Sequence, residues 1–92
     1  MDNKNIIEES IDSYKWYLDL LQTSPLVEII SDIKIITNNL IKYLSENNQQ
    51  ELAIKLLNFV IEIDEITDDD IPLLFDKVDE IINILTTTEF NC

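Results

Sequence analysis

The sequence predicts an all-α protein, built as a small up-down-up-down four-helix bundle. Three observations point there. Apolar residues recur at steps of three and four through four segments, and each segment opens on a plausible cap. The connections between segments are a few residues long, which makes consecutive helices antiparallel neighbours.

The first segment, about residues 5–22, carries Ile7, Ile11, Tyr14, Leu18 and Leu21 as one stripe. Ser24-Pro25 supplies an N-cap and a proline at the first helical position for the second segment, about residues 25–45. Its stripe is Leu26, Ile29, Ile30, Ile33, Ile36, Leu40, Tyr43 and Leu44. Asn48 followed by Glu51 reads as a capping box for the third segment, about residues 48–64, with Leu52, Leu56, Phe59, Val60 and Ile63 on its main stripe. LNFVIEI also alternates as a strand would, but no second strand is there to pair with it, so helix is the reading. The fourth segment, about residues 70–86, starts at Asp69 or Asp70 and carries Ile71, Leu74, Phe75, Val78, Ile81, Ile82 and Leu85. Thr86-Thr87-Thr88 weakens it, and Glu89 to Cys92 is expected to fray. Glycine is absent, so Asn47 and Asn48 are expected to supply the left-handed backbone that ends the second helix.

Composition bounds the class. A chain of 92 residues suits one domain, residues 1–92, and its 46% hydrophobic content is too high for a disordered acidic chain despite a net charge of −13. Cys92 is the only cysteine, which excludes an intrachain disulfide and favours a reducing compartment. The start MDNKNIIEES lacks a basic region followed by an apolar run, and no later stretch is long and apolar enough for a membrane. Abundant Ile, Asn and Lys, with no Gly, Arg or His, is the bias of AT-rich coding sequence. The expectation is a cytoplasmic protein of a bacterium or of a phage-infected bacterial cell.

The same absences exclude chemistry. Without His or Arg and with one terminal Cys, the usual general bases, phosphate clamps and thiol nucleophiles are missing. There is no glycine loop for phosphates and no Cys/His set for zinc. An enzyme is not expected, nor a cofactor or a metal site.

The acidic stretch EIDEITDDDIP, Glu62 to Pro72, holds six carboxylates and no basic residue. A calcium loop needs alternating oxygen ligands and a glycine at its sixth position. Counted from Asp64, the third position is Ile66; counted from Asp68, Pro72 and Leu73 fill the fifth and sixth. Asp68, Asp69 and Asp70 are explained as the start of the fourth helix, where N–H groups and the positive dipole end favour carboxylates. Glu62, Asp64 and Glu65 fall in the last turn of the third helix, where negative charge is unfavourable, so the stretch carries more charge than a turn needs. Residues 1–45 hold seven acids and four lysines, residues 46–92 twelve acids and two lysines, so the halves carry −3 and −10. Such a charge repels nucleic acid and anionic membrane and speeds encounter with a basic protein; it also serves solubility.

Two apolar features fall off the core stripes. Trp16 projects nearly opposite the stripe of the first helix among Glu9, Asp12 and Asp19, with Leu20 and Ile6 nearest. It reads as an interface anchor or as a surface covered by the chain's own tail, with Phe90 the candidate. Ile54, Leu57 and Ile61 form a second stripe on the third helix, which means either a central helix or one shared with another chain in a homodimer or partner complex. Ile35 is a lesser example.

FVIEIDE followed by DKVDEIINIL resembles the end of an acyl carrier protein, a small acidic four-helix protein, over about a quarter of the chain. In that family a serine in an Asp-Ser-Leu motif receives phosphopantetheine, and Ser45 stands at the matching distance before Phe59. Its neighbours are instead Leu44 and Glu46, and Glu46-Asn47-Asn48 replaces the helix that should follow at once, so that function is not carried over.

The functional expectation is a non-enzymatic inhibitor of the immunity-protein, antitoxin or phage anti-defence type, which occupies a basic, nucleic-acid-binding surface of a partner protein. Glu62, Asp64, Glu65, Asp68, Asp69, Asp76, Asp79 and Glu80 would mimic phosphates, and Trp16 with Leu20, or the Ile54-Leu57-Ile61 stripe, would supply desolvated area. The alternative is a structural or regulatory homodimer formed through that stripe.

Overall fold

The computed structural model describes residues 3–87. They form four helices, α1 (Asn3–Leu20), α2 (Leu26–Glu46), α3 (Gln50–Asp64) and α4 (Ile71–Thr87), with a 3-10 turn at Asp68–Asp70 ahead of α4. Each helix packs on the two that adjoin it in a closed ring: α1 on α2, α2 on α3, α3 on α4, and α4 back on α1. Tyr14 touches Thr37, Lys34 touches Asp64, and Lys77 touches Glu62. Each pair straddles its connecting turn at similar distances, the mark of antiparallel neighbours. The extents of 40 × 21 × 20 Å fit a bundle two helices wide each way, since one helix is about 10 Å across. All four helices are as the apolar periodicity predicts, LNFVIEI included.

The core is the sum of the four stripes. Tyr14, Ile29, Ile33, Leu40, Leu44, Leu56, Ile63, Leu74, Val78 and Leu85 are fully buried, each burial contributing about 1.5–3 kcal/mol of gross stabilisation. The Tyr14 and Phe59 rings meet edge to face across the bundle, 6.3 Å apart at 84°. Thr37 is the one buried polar side chain among the described residues, and it is satisfied. Its hydroxyl donates to the Ile33 carbonyl at 2.7 Å, so the Tyr14 hydroxyl, also at 2.7 Å, is the donor to Thr37. Ile66, in the α3–α4 connection, closes one end of the core.

The helix ends differ from expectation in three places. The Ser24 amide donates to the Leu20 carbonyl at 2.8 Å, so Ser24 closes α1 and does not cap α2. Pro25 is the N-cap of α2, with φ −61° and ψ 142°, and its carbonyl accepts the Glu28 and Ile29 amides. A proline has no N–H to leave unpaired at that position. Asn48 adopts a left-handed conformation, φ 64°, which ends α2 and lets the Gln49 amide reach the Leu44 carbonyl at 2.8 Å, as the lack of glycine predicts. That conformation is incompatible with capping α3, because an N-cap needs extended backbone; Gln49 stands there with no side-chain cap bond, so the Asn48–Glu51 capping box does not form. The aspartates Asp68–Asp70 form their own 3-10 turn, with Thr67 at its N-cap and α4 starting at Ile71.

Within α4 one further residue differs from expectation: Phe75, assigned to the core stripe, is 38% exposed. It lies at the margin of the apolar arc, where a one-position change in helix rotation turns a ring outward. Thr88, Glu89, Phe90 and Cys92 lie outside the described residues.

Candidate functional site

The carboxylates assigned to a partner surface separate into two groups once the helices pack. Lys77, from α4, places its Nζ 2.8 Å from Glu62 Oε2, and Lys34, from α2, places its Nζ 2.7 Å from Asp64 Oδ1. Glu62 therefore holds the Lys77 ammonium above the usual lysine range. The unfavourable position of Glu62 and Asp64 at the negative end of α3 is offset by these two ion pairs, which tie α3 to both neighbours. The expectation that both acids were surplus to the fold is corrected on this point: their partners come from other helices.

Glu65, Asp68, Asp69 and Asp70 are exposed around the α3–α4 connection, and Asp76, Asp79 and Glu80 are exposed on α4. Lys34 and Lys77 are already paired, and of these acids only Glu80 acts on either of them, beside Lys77; the others face solvent with no close lysine pair among the described residues. A groove of about 290 Å³ runs between α3 and α4, floored by Phe59, Ile81 and Ile84 and rimmed by Lys55, Glu62, Lys77 and Glu80. A second, of about 380 Å³, lies where Val27 and Ile30 of α2 meet Ile66 and Asp68. Neither brings a nucleophile beside a base. Among the described residues no three His, Cys, Asp or Glu side chains converge closely enough to hold a metal ion, and no helix is long and apolar enough to cross a membrane.

The off-face apolar residues are where helical geometry predicts. Trp16 is 59% exposed, its ring 5.3 Å from Tyr17 and tilted against it. Leu20 and Ile6 are half-buried, and Leu20 packs against the core, so Trp16 stands out from an otherwise covered edge. Phe90, the proposed cover, is outside the described residues. On α3, Ile54 (58%), Leu57 (48%) and Ile61 (57%) are all open to solvent. The alternative of a central α3 is not realised, because α3 occupies a corner between α2 and α4. Ile35 is exposed too, and so are Val27 and Leu73, which the sequence reading passed over although each falls well off its own helix's stripe. Ser45 is exposed in the last turn of α2, so the helix ends where the acyl-carrier pattern requires one to begin. Comparison of the chain with protein-family models, with curated proteins and with solved structures found no match.

Proposed function

We propose that the protein is a non-enzymatic binding protein that occupies a basic, nucleic-acid-binding surface of another protein, as a stoichiometric inhibitor of the immunity, antitoxin or anti-defence type. One observation carries this reading. Lys34 and Lys77, which reach the acidic stretch, are spent on ion pairs with Asp64 and Glu62 within the bundle, which leaves Glu65, Asp68, Asp69, Asp76 and Asp79 as outward charge beside solvent-exposed apolar side chains. Outward carboxylates steer a basic partner and exposed aliphatic or aromatic groups supply the desolvated contact.

The acids to test are those without a lysine partner, because reversing Glu62 or Asp64 would break an ion pair of the fold. In a pull-down from the source cell across a NaCl series, the wild type is expected to retain a basic protein that salt releases. A variant carrying Asp68→Lys, Asp69→Lys, Asp76→Lys and Asp79→Lys should lose it, with the milder Asp76→Lys/Asp79→Lys pair as a check that helix content is kept. Equal retention with unchanged salt dependence removes the proposal.

The exposure of Ile54, Leu57 and Ile61 favours one alternative, a homodimer through α3. Sedimentation of the wild type against Leu57→Asp separates the two readings: a monomer in both cases leaves the dimer without support.

A further inference from the structure

The stripe on α3 has a shape and a charge that restrict what can cover it. Ile54, Leu57 and Ile61 follow each other at three and four residues, the spacing of a seam that receives the apolar face of another helix. Glu51 precedes Ile54 by three residues and Glu65 follows Ile61 by four, so both acids lie on one flank of the seam with Asn58 between them. All three flank residues are exposed, and neither acid forms an ion pair among the described residues. Lys55 lies further round, on the rim of the α3–α4 groove. On the opposite side lies α2. The Lys34–Asp64 pair sets the register between α2 and α3, and seven residues along each helix from it come Ile41, half-buried, and Leu57.

We infer that this face seats an amphipathic helix of the partner protein, with Leu or Ile at matching three- and four-residue spacing and with Lys or Arg along the flank that meets Glu51 and Glu65. The charge pattern selects that occupant over a second copy of the chain. An antiparallel pair of α3 helices crossing near Asn58 would set Glu51 of each copy against Glu65 of the other, between molecules that each carry −13. A cationic helix meets the same two acids with opposite charge. The inference rests on the binding role proposed above and names where and how the partner docks.

The probes are three synthetic peptides of equal length: a Leu-seam helix with Lys flanks, the same seam with Glu flanks, and a scrambled sequence of the Lys-flanked composition. Isothermal titration gives their affinities, and spectra of methyl-labelled protein locate the contact. The Lys-flanked helix should bind and shift the methyls of Ile54, Leu57 and Ile61. Leu57→Asp should weaken it at least tenfold. Glu51→Lys with Glu65→Lys should do the same and transfer binding to the Glu-flanked helix, an exchange that mere misfolding cannot produce. The inference is overturned if the scrambled peptide shifts the same methyls as strongly, if the Lys-flanked helix shifts residues elsewhere, or if sedimentation shows a wild-type dimer that Leu57→Asp dissociates. The pull-down is independent of this result, since its variants leave Glu51, Glu65 and the seam intact.

Discussion

Tyr14 and Thr37 show how one buried hydroxyl pair is kept inside an aliphatic core. Each O–H is used once, Tyr14 to Thr37 and Thr37 to the Ile33 carbonyl, so no buried side-chain polar atom among the described residues is left over. The costs of cutting this chain at its two ends are unequal. Tyr14→Phe removes a donor and leaves Thr37 still bonded, for an expected loss of about 0.5–1.5 kcal/mol. Thr37→Val strands the Tyr14 hydroxyl and the loss rises to about 1–3 kcal/mol, with the double variant less costly than the two losses added. Urea unfolding of the three variants checks the order. Burial also pushes the Tyr14 phenol from 10.0 up to about 12, against the opposing effect of its bond to Thr37. A folded pKa above the unfolded one means that stability is whole below pH 10 and falls as pH rises toward 12. At about 1.4 kcal/mol per unit the fall is roughly 2–3 kcal/mol. Unfolding followed from pH 9 to 12 should show this slope in the wild type and lose it in Tyr14→Phe, a comparison that separates it from the loss of lysine charge in the same range.

At the scale of the helix, the backbone strain visible among the described residues sits at Asn48, just past the end of α2. A left-handed φ of 64° costs a residue with a β-carbon about 1–2 kcal/mol, less for asparagine and nothing for glycine. Asn48→Gly should therefore raise the stability by a few tenths of a kcal/mol to about 1, and Asn48→Ala should lower it by about 1, measured as the shift in denaturation midpoint. This residue also marks how far the sequence can be read. The four stripes are legible because burial on a helix repeats every three or four residues whatever the neighbours are, and Ile54, Leu57, Ile61 and Trp16 are legible for the same reason in reverse. Caps are less so: asparagine serves both the end of one helix and the start of the next, and only the backbone decides which. The partners of Glu62 and Asp64 are not legible at all. Lys34 is thirty residues from Asp64 in the chain, and the pair exists only once α2 lies against α3. Nor does a stripe reveal which marginal position turns outward, as Phe75 does.

Over the whole molecule, nineteen acids face six lysines, and the balance between repulsion and pairing sets how it responds to salt. Among the described residues two of the lysines make close pairs whose members all keep some solvent exposure, so each pair adds little to stability. The remaining acids repel one another over distances that about 0.15 M salt screens well, since the Debye length is then about 8 Å. Repulsion is the larger sum, because it is spread over many outward charges, whereas attraction among the described residues rests on two close contacts. Added NaCl should accordingly raise the midpoint of thermal unfolding between low salt and about 0.3 M. The same ions should weaken the complex with a basic partner, whose encounter depends on the field that they screen. Stability and affinity thus move in opposite directions with one variable. A midpoint that falls with salt would mean that the Lys34–Asp64 and Lys77–Glu62 pairs outweigh the repulsion, and the outward field invoked to draw in a basic helix would then be too weak for that role.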